Sequence, residues 1–226
     1  IDQTELEKTK SMVDISLNCD AGDFITKLVS YLEKQKIFIA QPHDWYETCN
    51  GYRNRYPFIG PEHEDKNGFI NSYKFMDQIS NYLKKDQIVV TDMGTGLLSG
   101  HQALRIKQGQ RLMTSTGLGE MGYGLPGAIG ASFARNKGEV LCLNCDGGMM
   151  MNLQEIQTLV HHRLPIKLFI FNNDGYLMIK HTQKNLFEGR YSGTNKSSGV
   201  SCPDFSKLSA SFNISYHSIR TWEDFH

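Results

Sequence analysis

The sequence carries no surplus of charge: its 226 residues include 24 Lys plus Arg against 24 Asp plus Glu, so the formal net charge is zero with histidines neutral. Nothing in it is a basic run, and nucleic acid or an acidic membrane surface would need clustered positive charge. Long hydrophobic runs are missing as well. Stretches such as Leu168 to Phe171 fall far short of the roughly 20 residues that a membrane-spanning helix needs. The charged start, Ile1-Asp2-Gln3-Thr4-Glu5, has no apolar segment behind it, so no signal peptide is expected, and opening on Ile1 points to a piece of a longer protein. Cysteine is sparse and odd in number, at five, in a chain too long for a disulfide miniprotein. Cys142 and Cys145 have C-x2-C spacing but lie in an alternating stretch, Glu139 to Cys145, that reads as a buried strand, and no second Cys or His pair stands at zinc-site distance. Inert core thiols in a reducing cytoplasm are the expectation. What is present, 39% hydrophobic and 11% aromatic residues, excludes a disordered segment. The length suits one sizeable core, or one domain and part of another.

Along the chain, Phe24, Leu28, Val29 and Leu32 fall on one face of a helix over 23–32. Residues 41–66, rich in Pro, Gly, Asn and aromatics without a clear period, read as a linker. A new domain, 67–226, is then expected to begin with a helix over 69–83, and residues 1–40 precede the linker. Beyond it the pattern alternates. Strands are expected at 88–92, 111–116, 140–144, 166–171 and 214–219, turns at 94–100 and at Asp146-Gly147-Gly148, and helices at 125–134 and 152–161, the last opened by a capping-box spacing from Asn152 to Glu155. Strands alternating with helices predict an α/β fold, a three-layer, doubly wound, mostly parallel sheet whose ligand sits at the carboxyl ends of the strands. The adjacent His161 and His162 face different directions on a helix and make no one-face metal pair. The polar segment Lys180 to Lys184, behind the turn at Asn172–Gly175, is a candidate substrate-facing stretch.

Two readings compete for the glycine turns. Gly117-Leu-Gly119-Glu-Met-Gly122 matches the dinucleotide fingerprint G-x-G-x-x-G, with an acid, Glu139, about 20 residues on. A ribose-binding acid, however, belongs at the end of the next strand, whereas Glu139 precedes it; an NAD-dependent oxidoreductase is the remote alternative. Otherwise these glycines let a helix pack closely on the sheet. In the second reading, Asp146-Gly147-Gly148 follows one strand and Asn172-Asn173 the next, so Asp146 and Asn173 converge at one sheet edge. One carboxylate, one amide oxygen and one backbone carbonyl supply three oxygens, and Mg²⁺ commonly completes its octahedron with substrate phosphates and water. The N–H groups of Gly147 and Gly148 add an approach for those phosphates.

Cys145-Asp146-Gly147, followed after one helix by Asn172-Asn173-Asp174-Gly175, resembles the G-D-G…N-N signature of thiamine diphosphate enzymes. The likeness extends through Gly117 to Pro126, Met151 to Glu155 and Leu164 to Lys167, covers most of residues 67–219, and is nearest to the acetolactate-synthase-like branch. It implies a thiamine diphosphate-binding fold, incomplete at both ends, joined to the tail of a central domain. It implies that Asp146, Asn173 and the Gly175 carbonyl hold Mg²⁺, that Thr95, Gly96, Gly147 and Gly148 contact the diphosphate, and that Gly119 borders the cofactor. Met121 would be the apolar wedge beneath it, and Met178 and Ile179 would line the substrate side. His101 and Gln102 would lie near the diphosphate, in an alignment that the loop length leaves open. The implied activity is decarboxylation of a 2-oxo acid such as pyruvate with carboligation to an acceptor carbonyl. The implied assembly is a homodimer or homotetramer with shared sites, in which a glutamate from an N-terminal domain of a neighbouring subunit activates the cofactor. The chain by itself would then be inactive. FAD, which some relatives bind through the central domain, is left open.

Three departures bear on the chemistry. Cys145 stands where the signature has its first Gly. Ile179 stands where simple pyruvate decarboxylases carry an acid, which favours carboligation over aldehyde release. Thr182 replaces a Trp of the branched-chain biosynthetic synthases, and the segment 102–116 is short, so classical valine and isoleucine biosynthesis is not expected.

Overall fold

Two strands set the architecture. Val89, Leu141 and Leu143 are buried on one face of a sheet with Phe75, Met76 and Ile79, while Ile88, Val90, Val140 and Cys142 are buried on the other with Ala128 and Ala131. Successive side chains of a strand point to opposite faces, so continuous apolar runs such as these can only be satisfied with helices above and below. The computed structural model describes residues 3–9, 13–40 and 42–226. It divides into two units between Tyr56 and Pro57, inside the stretch expected as a linker.

Among its described residues the first unit holds three helices, α1 (Gln3–Thr9), α2 (Ala21–Lys34) and α3 (His43–Arg55). The Asp20 carboxylate caps α2 by accepting the Asp23 N–H at 3.0 Å, and the apolar stripe expected over 23–32 lies on this helix, though none of its residues is buried. Helix α3 corrects the expectation of an irregular linker: its composition hides a regular backbone that begins directly after Pro42.

The second unit is the α/β domain. It runs through α4 (Ser72–Ile79), β1 (Ile88–Thr91), α5 (Thr95–Ala103), β2 (Arg111–Met113), α6 (Gly124–Ala134), β3 (Val140–Cys145), α7 (Asp146–Met149), α8 (Glu155–His162), β4 (Ile166–Phe171), α9 (Leu177–Leu186), α10 (Phe205–Ser211) and α11 (Trp222–Phe225). Four strands make one sheet in the order β2-β1-β3-β4, with every pair parallel. The expected three-layer α/β class is what the backbone builds. Several element predictions differ: the turn expected at Asp146-Gly147-Gly148 is the first part of the short helix α7, whose glycines bring its backbone against Asp92 and Tyr176, and the strand expected over 111–116 ends at Met113. Residues 94–100 are mostly helix rather than turn, because Gly96 and Gly100 let α5 lie close to the Leu143 carbonyl and the Thr91 methyl. Residues 214–219 form no strand; Ile214 and Ile219 instead pack separately against two different hydrophobic clusters. Helix α4 is shorter than 69–83, ending where Ser80 Oγ donates back to the Met76 carbonyl at 2.7 Å and accepts the Arg105 N–H.

The connection leaving β1 runs to β2 on one side, and that leaving β3 runs to β4 on the other. Between the carboxyl ends of β1 and β3 the winding reverses, which opens the crevice where doubly wound sheets hold their ligands. The residues that follow those two strands are Asp92 and Asp146.

Candidate active site

Asp146 is fully buried at the end of β3. Its Oδ1 accepts the Gly147 N–H at 2.8 Å, and its Oδ2 accepts the N–H groups of Asn173 at 3.0 Å and Gly175 at 2.9 Å. Burial pushes the carboxyl above its ordinary value, and these amide donors pull against that rise. The Asn172–Gly175 turn is thereby folded onto Asp146, with Gly175 at φ +128°, in the region that favours glycine. The side-chain oxygen of Asn173 is buried without a hydrogen-bond partner, while its amide nitrogen reaches Thr95 Oγ1 at 3.4 Å. A buried polar atom without a partner is costly, so an oxygen held this way beside a carboxylate fits a cation. The carbonyl oxygen of Gly175 faces Gly147, 3.3 Å from where a Cβ there would stand. Carboxylate, amide oxygen and carbonyl form the hard-oxygen donor set that Mg²⁺ prefers.

Asp92, also fully buried, closes the other side of the crevice. Its Oδ1 accepts the N–H groups of Gly122 at 2.8 Å and Gly124 at 3.1 Å, and its Oδ2 is buried without a partner. Burial raises this carboxyl too, against the pull of the loop amides. Gly148 sits so close to Asp92 Oδ2 that a Cβ there would overlap it, and a Cβ on Gly147 would meet the Tyr176 ring. The Gly pair after Asp146 is thus required by packing as well as by any approach of phosphates.

The structure brings Asp146, Asn173, Gly175 and Thr95 together. Gly96 is buried at the start of α5 with its N–H directed to Cys145 Sγ at 3.4 Å, so the sulfur that replaces the signature glycine holds the first turn of α5. Burial pushes the Cys145 thiol up to about 12. Cys142 and Cys145, three apart on a strand, face opposite sides and share no ligand space. Among the described residues no group of three or more His, Cys, Asp and Glu is placed to hold a metal. Gly119 lies under Met93, its N–H bonded to the Ser115 carbonyl at 2.9 Å, and Met121 is half-buried in the same loop. Met178 and Ile179, in the first turn of α9, are 40% and 43% exposed. His101 and Gln102 are exposed toward the far end of α5, about two turns beyond Thr95. In the 180–184 segment, Lys180 lies over the Tyr191 ring and Gln183 bonds both the N–H and the carbonyl of Ser192. The His161 and His162 rings, expected to face apart, instead meet edge to face with centroids 4.7 Å apart, the exposed His161 ring lying on His162, which also packs against Phe133.

Glu139 lies at the amino end of β3, held by Lys84 at 3.0 Å and Lys167 at 3.5 Å. That is the opposite end of the sheet from the crevice, which removes the ribose-binding acid from the dinucleotide reading. The predicted capping box does not form either. Asn152 instead donates its side-chain N–H to the Gly122 carbonyl at 2.8 Å, and Gln154 leads into α8 without a side-chain cap. The roles of Asp92 and Asn152 were missed from sequence. The available signal was an acid at the carboxyl end of a central strand, opposite a glycine-rich loop.

The family described as "Thiamine pyrophosphate enzyme, C-terminal TPP binding domain" matches residues 92–226. Among curated relatives, the chain is similar to the acetolactate synthase large subunit of Porphyra purpurea, 32% identical over 215 residues, covering 95% of this chain and 35% of that protein. It is likewise similar to the acetolactate synthase large subunit of Parasynechococcus marenigrum (strain WH8102), at 33% identity with 95% and 33% covered. Against the acetolactate synthase isozyme 2 large subunit of Escherichia coli (strain K12) the identity is 29%, with 95% and 36% covered. The chain spans about a third of the length of these relatives. With the oxygen cluster on Asp146 at the switch point and the family model across the domain that carries it, the chain belongs to the thiamine pyrophosphate enzymes and bears their C-terminal TPP-binding domain.

Proposed function

We propose that the complete protein catalyses thiamine diphosphate- and Mg²⁺-dependent decarboxylation of a 2-oxo acid, pyruvate or a close analogue, with carboligation to an acceptor carbonyl, as an acetolactate synthase-like enzyme. The observation that carries this reading is the partnerless Asn173 oxygen beside the amide-bound Asp146 carboxylate. When bound, the cofactor supplies the electron sink for loss of CO₂, and Mg²⁺ ties its diphosphate to the protein.

The chain's own residues bind and orient. Asp146, Asn173 Oδ1 and the Gly175 carbonyl would hold the metal, with the Gly147, Asn173 and Gly175 N–H groups keeping the Asp146 carboxylate in place. Thr95, Gly147 and Gly148 border the diphosphate, and Gly119 and Met121 border the organic part of the cofactor, Met121 as an apolar wedge. Met178 and Ile179 present apolar surface to the substrate, and an aliphatic Ile179 has no proton to give, which favours carboligation over aldehyde release. Assembly as a homodimer or homotetramer with shared sites, and a reducing compartment such as the cytoplasm for its five free cysteines, accord with this reading. FAD is no part of the proposal.

The test is calorimetric titration of the complete protein with thiamine diphosphate and Mg²⁺. Asp146→Ala abolishes Mg²⁺-dependent binding on this reading, and undiminished binding rejects the metal site. Product analysis with pyruvate and a panel of acceptors then decides the chemistry: a new C–C product supports carboligation, and free aldehyde alone supports a simple decarboxylase.

A further inference from the structure

Gly122 is gripped on both of its backbone polar groups by side chains from two separate elements. Its N–H goes to Asp92 Oδ1, at the end of β1, at 2.8 Å, and its carbonyl takes the Asn152 side-chain N–H, from the segment between α7 and α8, at 2.8 Å. The grip is reinforced on either side. Asp92 Oδ1 also takes the Gly124 N–H at 3.1 Å, and a Cβ on Gly122 would lie 2.6 Å from Met151 Cβ and 2.9 Å from Asn152 Nδ2. With φ +92°, Gly122 occupies a conformation that other residues rarely adopt, so the loop reaches this shape only with a glycine there and side chains to hold it. The residue before it is Met121.

We infer that Asp92 and Asn152 are positioning residues: together they clamp Gly122 and so fix the height and direction of the Met121 side chain in the crevice. The inference rests on the proposed role of Met121 beneath the cofactor. Asp92 Oδ2 stands against Gly148, and Asn152 donates to the Gly122 carbonyl while its oxygen accepts from Gln154 at 3.4 Å. The clamp also joins the two halves of the switch point, because Asp92 abuts Gly148, two residues beyond Asp146. A change that loosens Gly122 therefore releases Met121 while leaving Asp146, Asn173 and Gly175 in place.

The test separates loop geometry from cofactor binding. In the cofactor-free protein, amide hydrogen exchange at Gly122 and the methyl resonance of Met121, assigned with Met121→Leu, report the clamp, and the Met76 methyl, packed on the other face of the sheet, is the internal reference. Asp92→Ala removes both acceptor contacts, and exchange at Gly122 and Gly124 quickens about tenfold or more, as expected for lost bonds to a buried carboxylate. Asp92→Asn keeps an oxygen acceptor and restores most of the protection. Asn152→Ala and Asn152→Asp, which spare the core beneath the loop, shift the Met121 methyl without moving Met76 and keep the decision open if Asp92→Ala does not fold. Each unclamped variant weakens Mg²⁺-dependent thiamine diphosphate binding about tenfold. Unchanged Gly122 exchange and an unmoved Met121 methyl in the Asn152 variants overturn the inference, as does wild-type cofactor affinity despite a shifted methyl. Wild-type protein that binds no thiamine diphosphate sinks the functional reading instead, and the cofactor-free measurements still judge the clamp.

Discussion

The carboxyl ends of β1 and β3 stand side by side, and each is followed by a fully buried aspartate whose carboxyl is raised by desolvation. Their surroundings differ in what the carboxylates hold. Asp146 is ringed by the amides of its own neighbour and of a turn whose Asn173 side-chain oxygen has no hydrogen-bond partner. Asp92 is ringed by the amides of a glycine loop, and Gly148 is packed against its remaining oxygen. One carboxylate holds the Asn172–Gly175 turn, and the other holds the glycine loop around Gly122. Burial and strand position, shared by both, do not distinguish a binding acid from a structural one. The partners do.

The most forceful way to break this contrast is to exchange charge for amide at both sites. Asp146→Asn is expected to weaken Mg²⁺-dependent thiamine diphosphate binding by at least the roughly 10–100-fold that even outer-sphere partners of a metal cost. Asp92→Asn should leave that affinity near wild type in the same titration. Equal losses at the two positions would erase the distinction. Next in size is Gly148→Ala, which drives a methyl group into Asp92 Oδ2 and should cost on the order of 1–3 kcal/mol in urea unfolding, as overpacked sites do. A neutral result there would mean that Asp92 is not confined from the β3 side.

Smaller effects come from pH. The folded-state value of Asp92 lies above its ordinary 3.8, so its contribution to stability is fully present below that pH and is lost as pH rises through the raised value. Asp92→Asn should therefore gain on wild type in stability as pH climbs from 3.8, read from unfolding curves of the two proteins at matched pH. Glu139, on the surface at the other end of β3, has the opposite sign. Its hydrogen bond to Lys84 and the nearby Lys167 hold it below its ordinary 4.5, so what it contributes is present above 4.5 and is lost as pH falls through the lowered value. Being solvated, that ion pair is worth about 0–1 kcal/mol, and Glu139→Gln should change stability by no more than this, with the difference vanishing at low pH. A larger effect would place Glu139 among the structural acids beside Asp92.

Much of the sheet was legible because buried strands have a simple signal. The apolar runs at 88–91, 140–145 and 166–171 admit little else once Gly, Asp or Asn closes each of them, and parallel pairing follows from the helices between them. Asp146 and Asn173 were legible for the same reason, since each directly follows or nearly follows such a run. Helix α5 was hidden because its glycines have poor helix propensity, and only their closeness to Leu143 and Thr91 rewards them. The stretch 214–219 misled because alternating apolar residues describe a surface that packs, and Ile214 and Ile219 do pack, though against helices and strand faces instead of in a ladder. Asn152 misled in a related way: its spacing to Glu155 satisfies the capping pattern, but the Gly122 carbonyl, 30 positions away in sequence, takes its donor.

By itself the sequence determined the α/β class, the strands that would be central, and which residues would stand at their carboxyl ends, since these follow from periodicity and from glycine, effects that act within a few residues. Only the tertiary structure decided what those end residues do. That Asp146 faces the Asn173 turn while Asp92 and Asn152 hold Gly122 depends on hydrogen bonds spanning 27 to 32 positions. Such bonds form only where strands β1 and β3 lie side by side and bring distant loops together in a space from which water is excluded, where each buried polar group must find a partner or a ligand.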